Sequence, residues 1–262
     1  MQPILAGQTA LVTGASAGIG HATALALARA GADLAVNYLT YAAEAGALAE
    51  QVRKLGRRAA LYQVDVADQQ AVETMTAQAA AEFGRLDIFV SNAAHSDEDL
   101  FYRADMAGFR RTIDVTMWGA FYGVRAAAAQ MIRQGRGGSI VVISSIHAEE
   151  AIPTSMAYNM AKAAIDQMAR TAALELGPHR IRVNIIYPGW TDTPGERKYF
   201  SEETLQKAGA SLPWRRLARA DEIARGVLLL VDPASAYVTG STLSIDGGTR
   251  LPYWSERGVG EF

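Results

Sequence analysis

Gly14-Ala15-Ser16-Ala17-Gly18-Ile19-Gly20 follows the run Thr9-Ala10-Leu11-Val12-Thr13 and precedes His21-Ala22-Thr23-Ala24-Leu25-Ala26-Leu27-Ala28-Arg29. The order is a buried strand, a glycine turn and a strong helix former, closed by Gly31. Glycines at 14, 18 and 20 let the backbone turn tightly and come close to a pyrophosphate. The helix that follows aims its free N–H groups at such an anion. The spacing is G-x-x-x-G-x-G rather than G-x-G-x-x-G, and tight turns need glycine for their own sake. The position between strand and helix is what points to a nucleotide.

The same alternation continues outward along the chain. Strands are expected at Asp33–Asn37, Ala59–Val64, Leu86–Val90, Ser139–Ile143, Ile181–Ile186 and Thr242–Ile245. Helices are expected at Ala42–Leu55, Gln69–Phe83, one long stretch over 106–132, Ser155–Leu176 and Asp221–Leu230. Alternating β and α elements imply parallel strands with helical crossovers. The strands lack polar alternation, as strands covered on both faces do. The expected fold class is α/β: one domain over 1–262, a doubly wound (Rossmann) parallel seven-stranded sheet with helices on both faces. No repeat or linker divides it. Two stretches break the rhythm. The first is 188–215, whose part 190–214 reads as a substrate lid carrying Trp190, Tyr199, Phe200 and Trp214; these aromatics either cover substrate or pack a small core of the lid's own. The second is the tail 249–262, where Tyr253, Trp254 and Phe262 suggest packing on a neighbouring subunit.

Composition narrows the function. Lys+Arg 25 against Asp+Glu 27 leaves a net charge of −2, which speaks against nucleic acid as a partner. Cys 0 excludes disulfides, thiolate zinc sites and cysteine nucleophiles, and no metal site is expected. No apolar run reaches the length of a membrane span and no leader is evident, so the expected partner is a small molecule and the expected compartment the cytoplasm.

Three further features fall on the rim formed by the carboxyl ends of the strands, where open α/β sheets bind ligands. Asn92-Ala93-Ala94 ends the fourth strand, Ser144-Ser145 the fifth, and Pro188-Gly189 the sixth. Each residue type also serves ordinary turns; the joint placement is the informative part. Tyr158 and Lys162 lie four apart on a helix and share a face. At about 4 Å and an effective dielectric near 20, the cation would favour the phenolate by roughly 4 kcal/mol, or about 3 pKa units. That would make the phenol a general acid or base near neutral pH, although Tyr and Lys at this spacing are also an ordinary amphipathic pair.

Together these segments, with Tyr237-Val-Thr-Gly-Ser and Asp246-Gly-Gly, resemble the short-chain dehydrogenase/reductase family over about residues 7 to 248. The resemblance implies an NAD(P)-dependent enzyme. Tyr158 would move the proton, Lys162 would lower its pKa and hold the nicotinamide ribose, and Ser145, thirteen residues before Tyr158, would hold the substrate oxygen. Gly14, Ser16, Ala17, Gly18, Ile19, Gly20, Asn37, Tyr38, Thr40, Asp65, Val66, Asn92, Ala93, Pro188, Gly189, Thr191 and Thr193 would line the cofactor. Among these, Asp65 would meet the adenine and Thr193 the carboxamide. Where the family has Asn in the long helix, this chain has Thr116; that Asn props a helix bulge and a proton relay. The family also implies a homotetramer built on the helices near 106–132 and 155–176 and the last strand.

No carboxylate stands between Leu34 and Ala43 to repel a 2′-phosphate, and no arginine stands there to neutralise one. Asn37, Thr40 and Ser16 would hydrogen-bond it, so the expectation leans to NADP with NAD also used. Ser144-Ser145-Ile146-His147 and Val36-Asn37-Tyr38 resemble bacterial glucose 1-dehydrogenases within the family. His147 would then meet a sugar hydroxyl, joined by His95, Glu149 and Trp190, unless His147 is only a polar rim residue. The acidic run Asp97-Glu98-Asp99 reads as a solvated loop. The expected reaction is hydride transfer between a nicotinamide and a sugar or polyol. The alternatives are a 3-oxoacyl or other ketone reductase, and a non-catalytic NAD(P)-binding protein.

Overall fold

A computed structural model describes residues 3–251. Seven parallel strands make one sheet: β1 Thr9–Val12, β2 Asp33–Tyr38, β3 Ala59–Gln63, β4 Ile88–Ser91, β5 Gly138–Ile143, β6 Ile181–Pro188 and, after the lid, β9 Thr242–Ile245. Their order is β3-β2-β1-β4-β5-β6-β9. The chain winds outward from β1 to β3, then returns to start β4 on the other side of β1. That reversal opens a crevice between β1 and β4, at the rim that the glycine turn occupies.

Side chains one residue apart point to opposite faces of a strand, and here both faces are apolar. Leu11, Phe89, Ile140 and Val142 enter one core with Val72 and Met75 of α3 (Gln69–Phe83), Val124 of α5 (Gly119–Gln134) and Ile165 of α6 (Met156–Glu175). Ala10, Val12, Val90, Val141 and Ile143 enter the other with Leu27 of α1 (Gly18–Arg29), Leu48 of α2 (Ala42–Lys54) and Val227 of α8 (Ala220–Val231). The continuous apolar strands are thus explained by burial on both sides.

The stretch over 106–132 departs from the single expected helix. It is α4 Met106–Thr112, a π-helical turn Ile113–Trp118, and α5. At its end the Gly119 N–H reaches back five residues to the Asp114 carbonyl. The lid is more structured than its polar sequence suggests. It holds β7 Thr191–Asp192, paired with β8 Ala218–Arg219, and α7 Glu202–Ser211, whose first turn is capped by the Ser201 hydroxyl on Thr204 N–H. Tyr253, Trp254 and Phe262 of the tail lie outside the described residues. Among the described residues no helix is long and apolar enough to cross a membrane.

Gly123 lets α5 press on the sheet: a Cβ there would come within 2.5 Å of Phe89 Cζ, and Phe89 is fully buried. Gly123→Ala is therefore expected to destabilise the fold by about 1–3 kcal/mol through overpacking. Urea unfolding checks this: the midpoint should fall with an unchanged slope.

Candidate active site

The glycine turn is built onto β4 by hydrogen bonds. The Thr13 hydroxyl accepts from Asn92 N–H (2.9 Å) and Ala93 N–H (3.1 Å). The Asn92 amide donates to the carbonyls of Thr13 (2.9 Å) and Gly14 (3.2 Å). Gly14 and Gly18 sit at φ +60° and +55°, a region side chains rarely adopt. A Cβ on Gly20 would come within 2.4 Å of the Gly14 carbonyl, so the turn closes only with glycine there. Ala17, at the N-cap of α1, is extended and offers no side-chain cap, and the first turn holds no acidic residue. Uncapped N–H groups on an acid-free first turn suit a pyrophosphate, so these residues fit a dinucleotide cofactor. Thr193 of the lid crosses over this turn, 3.3 Å from where a Gly18 Cβ would stand.

Asn37 behaves differently from the expectation. Its side chain is buried: the oxygen accepts from Gly14 N–H (3.1 Å) and the amide donates to the carbonyls of Val64 (2.9 Å) and Tyr62 (3.3 Å). It therefore braces the glycine turn against β3 and has no amide proton left for a 2′-phosphate. Ser16 is buried and Thr40 exposed at the same end of the sheet. Asp65 accepts from Ala67 N–H (3.0 Å) and pairs with Arg111 at 2.9 Å.

Ser145 leaves the end of β5 and caps a short turn, its hydroxyl accepting from His147 N–H at 3.2 Å. Tyr158 and Lys162 share one face of α6, with the Lys162 ammonium 5.2 Å from the centre of the Tyr158 ring. Lys162 is buried and donates to the Ile143 carbonyl at 2.8 Å. Burial pulls its pKa down to about 8, against the opposing charge of Asp166. The expected lowering of Tyr158 by Lys162 does not emerge. Burial pushes the phenol up, the carboxylate of Glu196 adds to this, and hydrogen bonding from Ser145 works the other way. The Lys162 ammonium is taken up by the Ile143 carbonyl.

Thr116 is fully engaged. Its hydroxyl donates to the His95 carbonyl (2.8 Å) and accepts from His95 N–H (2.9 Å). One hydroxyl thus pins the π-helical turn to the segment just past Asn92-Ala93. Thr116 stands in the π-helical turn at the place where the resemblance puts Asn.

His147 stands edge-on to Tyr158, ring centres 5.2 Å apart, and its Nδ1 lies 2.8 Å from Asn159 Oδ1. The Asn159 amide donates to the Ile152 carbonyl, so its oxygen must accept from His147. The imidazole proton is then on Nδ1, and Nε2 is left as an acceptor. Burial holds both His147 and His95 below the usual imidazole range, His95 helped by the charge of Arg111. Glu149 is drawn away from the expected substrate role: it pairs with Arg250 and receives the Tyr187 hydroxyl at 3.1 Å.

The sequence reading missed Glu196. The Trp190 indole N–H donates to it at 2.7 Å, and Trp190 packs edge-on against Phe200 at 5.4 Å. Tyr199 ties the lid down by donating to the Ser96 carbonyl at 2.9 Å, whereas Trp214 stays mostly exposed. Burial, with the charges of Glu98 and Asp192, pushes the Glu196 carboxyl up. Glu98, exposed as expected for a solvated loop, is close enough for its charge to be felt at Glu196. The only sequence signal for Glu196 was its place six residues after Trp190.

Comparisons with known proteins bear on the family and the fold. A family model described as Enoyl-(Acyl carrier protein) reductase matches residues 14–250. The chain is 38% identical to an L-rhamnose 1-dehydrogenase (NAD(P)(+)) of Sphingomonas sp. over 246 residues, 94% of this chain and 97% of that protein. It is 32% identical to glucose 1-dehydrogenase 2 of Bacillus subtilis, covering 94% and 96%. It superposes on carveol dehydrogenase from Mycobacterium avium in complex with NAD with a TM-score of 0.87 at 30% identity, covering 94% and 99%.

Two outcomes are expected. Thr116→Val strips both hydrogen bonds from the His95 backbone and should lower unfolding free energy by roughly 1–3 kcal/mol. Thr116→Ser should stay near the parent in the same denaturant titration. Glu196→Gln removes a negative charge that raises Tyr158. The acidic limb of the pH profile for alcohol oxidation should then move to lower pH, by up to about one unit.

Proposed function

The chain belongs to the short-chain dehydrogenase/reductase family, NAD(P)-dependent oxidoreductases, and from that membership we propose that it oxidises the ring hemiacetal of an aldose sugar. The observation that carries this reading is His147, held neutral beside Tyr158 with Nε2 as a hydrogen-bond acceptor. Such an acceptor next to the proton-transfer group suits a substrate rich in hydroxyls. The L-rhamnose and glucose 1-dehydrogenases among its relatives support the same class.

In this reading Ser145 donates a hydrogen bond to the substrate oxygen and steadies its developing charge. Tyr158 takes the hydroxyl proton, and Lys162 stabilises the resulting phenolate once it turns from Ile143. The nicotinamide, when bound, supplies the hydride acceptor. Gly14, Gly18 and Gly20 would hold the pyrophosphate, and Thr193 lies beside Gly18. Trp190 and Phe200 exclude water over the reacting carbon, and Glu196 receives a sugar hydroxyl. Loss of a hydride and a proton from the hemiacetal carbon and its oxygen gives the lactone.

Cofactor choice follows from charge. The end of β2 carries no carboxylate, and Lys198 of the lid lies over the Tyr41 ring at 5.6 Å, the start of α2. This supports NADP as preferred and NAD as accepted. Assembly into a homotetramer through α4, α5, α6 and β9 is supported by exposed Trp118, Phe121, Met156, Met160, Leu174 and Tyr237.

The test is absorbance at 340 nm with a panel of aldoses and polyols and each oxidised cofactor, and with ketones and each reduced cofactor. Aldose turnover is expected. Tyr158→Phe should cost at least about 100-fold in turnover while calorimetric cofactor affinity stays nearly unchanged. Turnover on ketones alone would make the chain a reductase. Tight cofactor binding with no turnover on either panel would favour a non-catalytic binding protein.

A further inference from the structure

Behind the reacting face of α6 lies a carboxylate that the mechanism above leaves unused. Asp166 is four residues beyond Lys162, on the same side of the helix, and both side chains are 2% exposed. An ionised group so deep is costly unless it is paired. Asp166 is closely held. The Tyr187 hydroxyl from β6 donates to its Oδ2, and Arg170 lies 3.5 Å from the same oxygen, one turn further along α6. Tyr187 is itself fully buried, flanked by Glu149 at 3.1 Å and by the Arg250 guanidinium at 5.0 Å from its ring centre. The other oxygen, Oδ1, is buried, and the Ser144 hydroxyl at the end of β5 favours its ionised form. Asp166 thus lies buried one turn of α6 from Lys162, on the face that carries this buried cation.

We propose that Asp166 is a positioning residue: its charge keeps the buried Lys162 ammonium protonated, and Tyr187 holds it in place to do so. The inference rests on the reading of Lys162 and Tyr158 as the reacting pair. Lys162 needs such help because burial alone favours the neutral amine, and a neutral lysine cannot steady a phenolate. The titratable and charged groups facing this pair are Tyr158, Lys162 and Arg170 on α6, Tyr187 on β6, His147 and Glu149 after β5, and Arg250 after β9. Burial raises the Asp166 carboxyl, while Ser144, Tyr187, Arg170 and Lys162 each favour its ionised form. Removing the anion therefore moves Lys162 in one direction, downward.

The chain has four lysines, Lys54, Lys162, Lys198 and Lys207, so the Lys162 side-chain nitrogen can be followed by 15N NMR and identified by its loss in Lys162→Arg. In full-length Asp166→Asn, checked for native circular dichroism, the Lys162 titration should fall by about one pH unit or more. Tyr187→Phe, which keeps the carboxylate but removes its donor, should shift it the same way by less. The basic limb of the oxidation profile should follow in both variants. A Lys162 titration unchanged in Asp166→Asn overturns the proposal, as does one that rises. The NMR titration needs no turnover, so it is decided independently of which substrate the enzyme takes.

Discussion

Everything at the rim depends on how the Gly14 turn is fastened. Three side chains do this: the Thr13 hydroxyl takes two N–H groups of the Asn92 segment, the Asn92 amide takes two carbonyls of the turn, and Asn37 takes Gly14 N–H. Because β1 lies between β2 and β4 in the sheet, these bonds reach to both neighbours and hold the crevice at the point where the strand order reverses. A glycine turn left loose would offer the same N–H groups at a larger entropic cost on binding. Thr116 extends the fastening by one more link, since His95 follows the same segment directly.

The reacting side of the rim is governed by desolvation. Tyr158, Lys162, Asp166 and Glu196 all have pKa values moved by burial first and by neighbours second. In each case burial disfavours the charged form, and a partner of opposite charge or a hydrogen bond restores part of it. In the proposed mechanism, phenolate formation at Tyr158 requires Lys162 to stay charged and to turn toward the phenolic oxygen. The carboxylate of Glu196, close enough to be felt at Tyr158, opposes this. A substrate hydroxyl that hydrogen-bonds Glu196 would soften that opposition.

The architecture was readable because its signals are local. Strand–turn–helix at 9–29 and the i,i+4 pair Tyr158/Lys162 need only neighbours in sequence, and the double-sided apolar strands declare a covered parallel sheet. What was not readable depends on partners far along the chain. Asn37 at the end of a strand suits a ligand or a brace equally well; Gly14, Tyr62 and Val64, 23 to 27 residues away, decide for the brace. Glu149 looked like a rim acid until Arg250, 101 residues on, claimed it. The π-helical turn gives no periodicity signal because it inserts only a single wide turn, closed from Gly119 N–H to the Asp114 carbonyl, between two regular helices. Glu196 sits in a lid without repeating pattern, where only folded contact with Trp190 reveals it.

In the proposed reaction a hydride leaves the hemiacetal carbon of a sugar at this rim. The most direct measurement uses an aldose deuterated at C1 and mass spectrometry of the reduced cofactor formed. The reduced cofactor should be heavier by one deuterium, and turnover slower than with the protiated sugar. Reduced cofactor without deuterium, while the sugar is consumed, would contradict it.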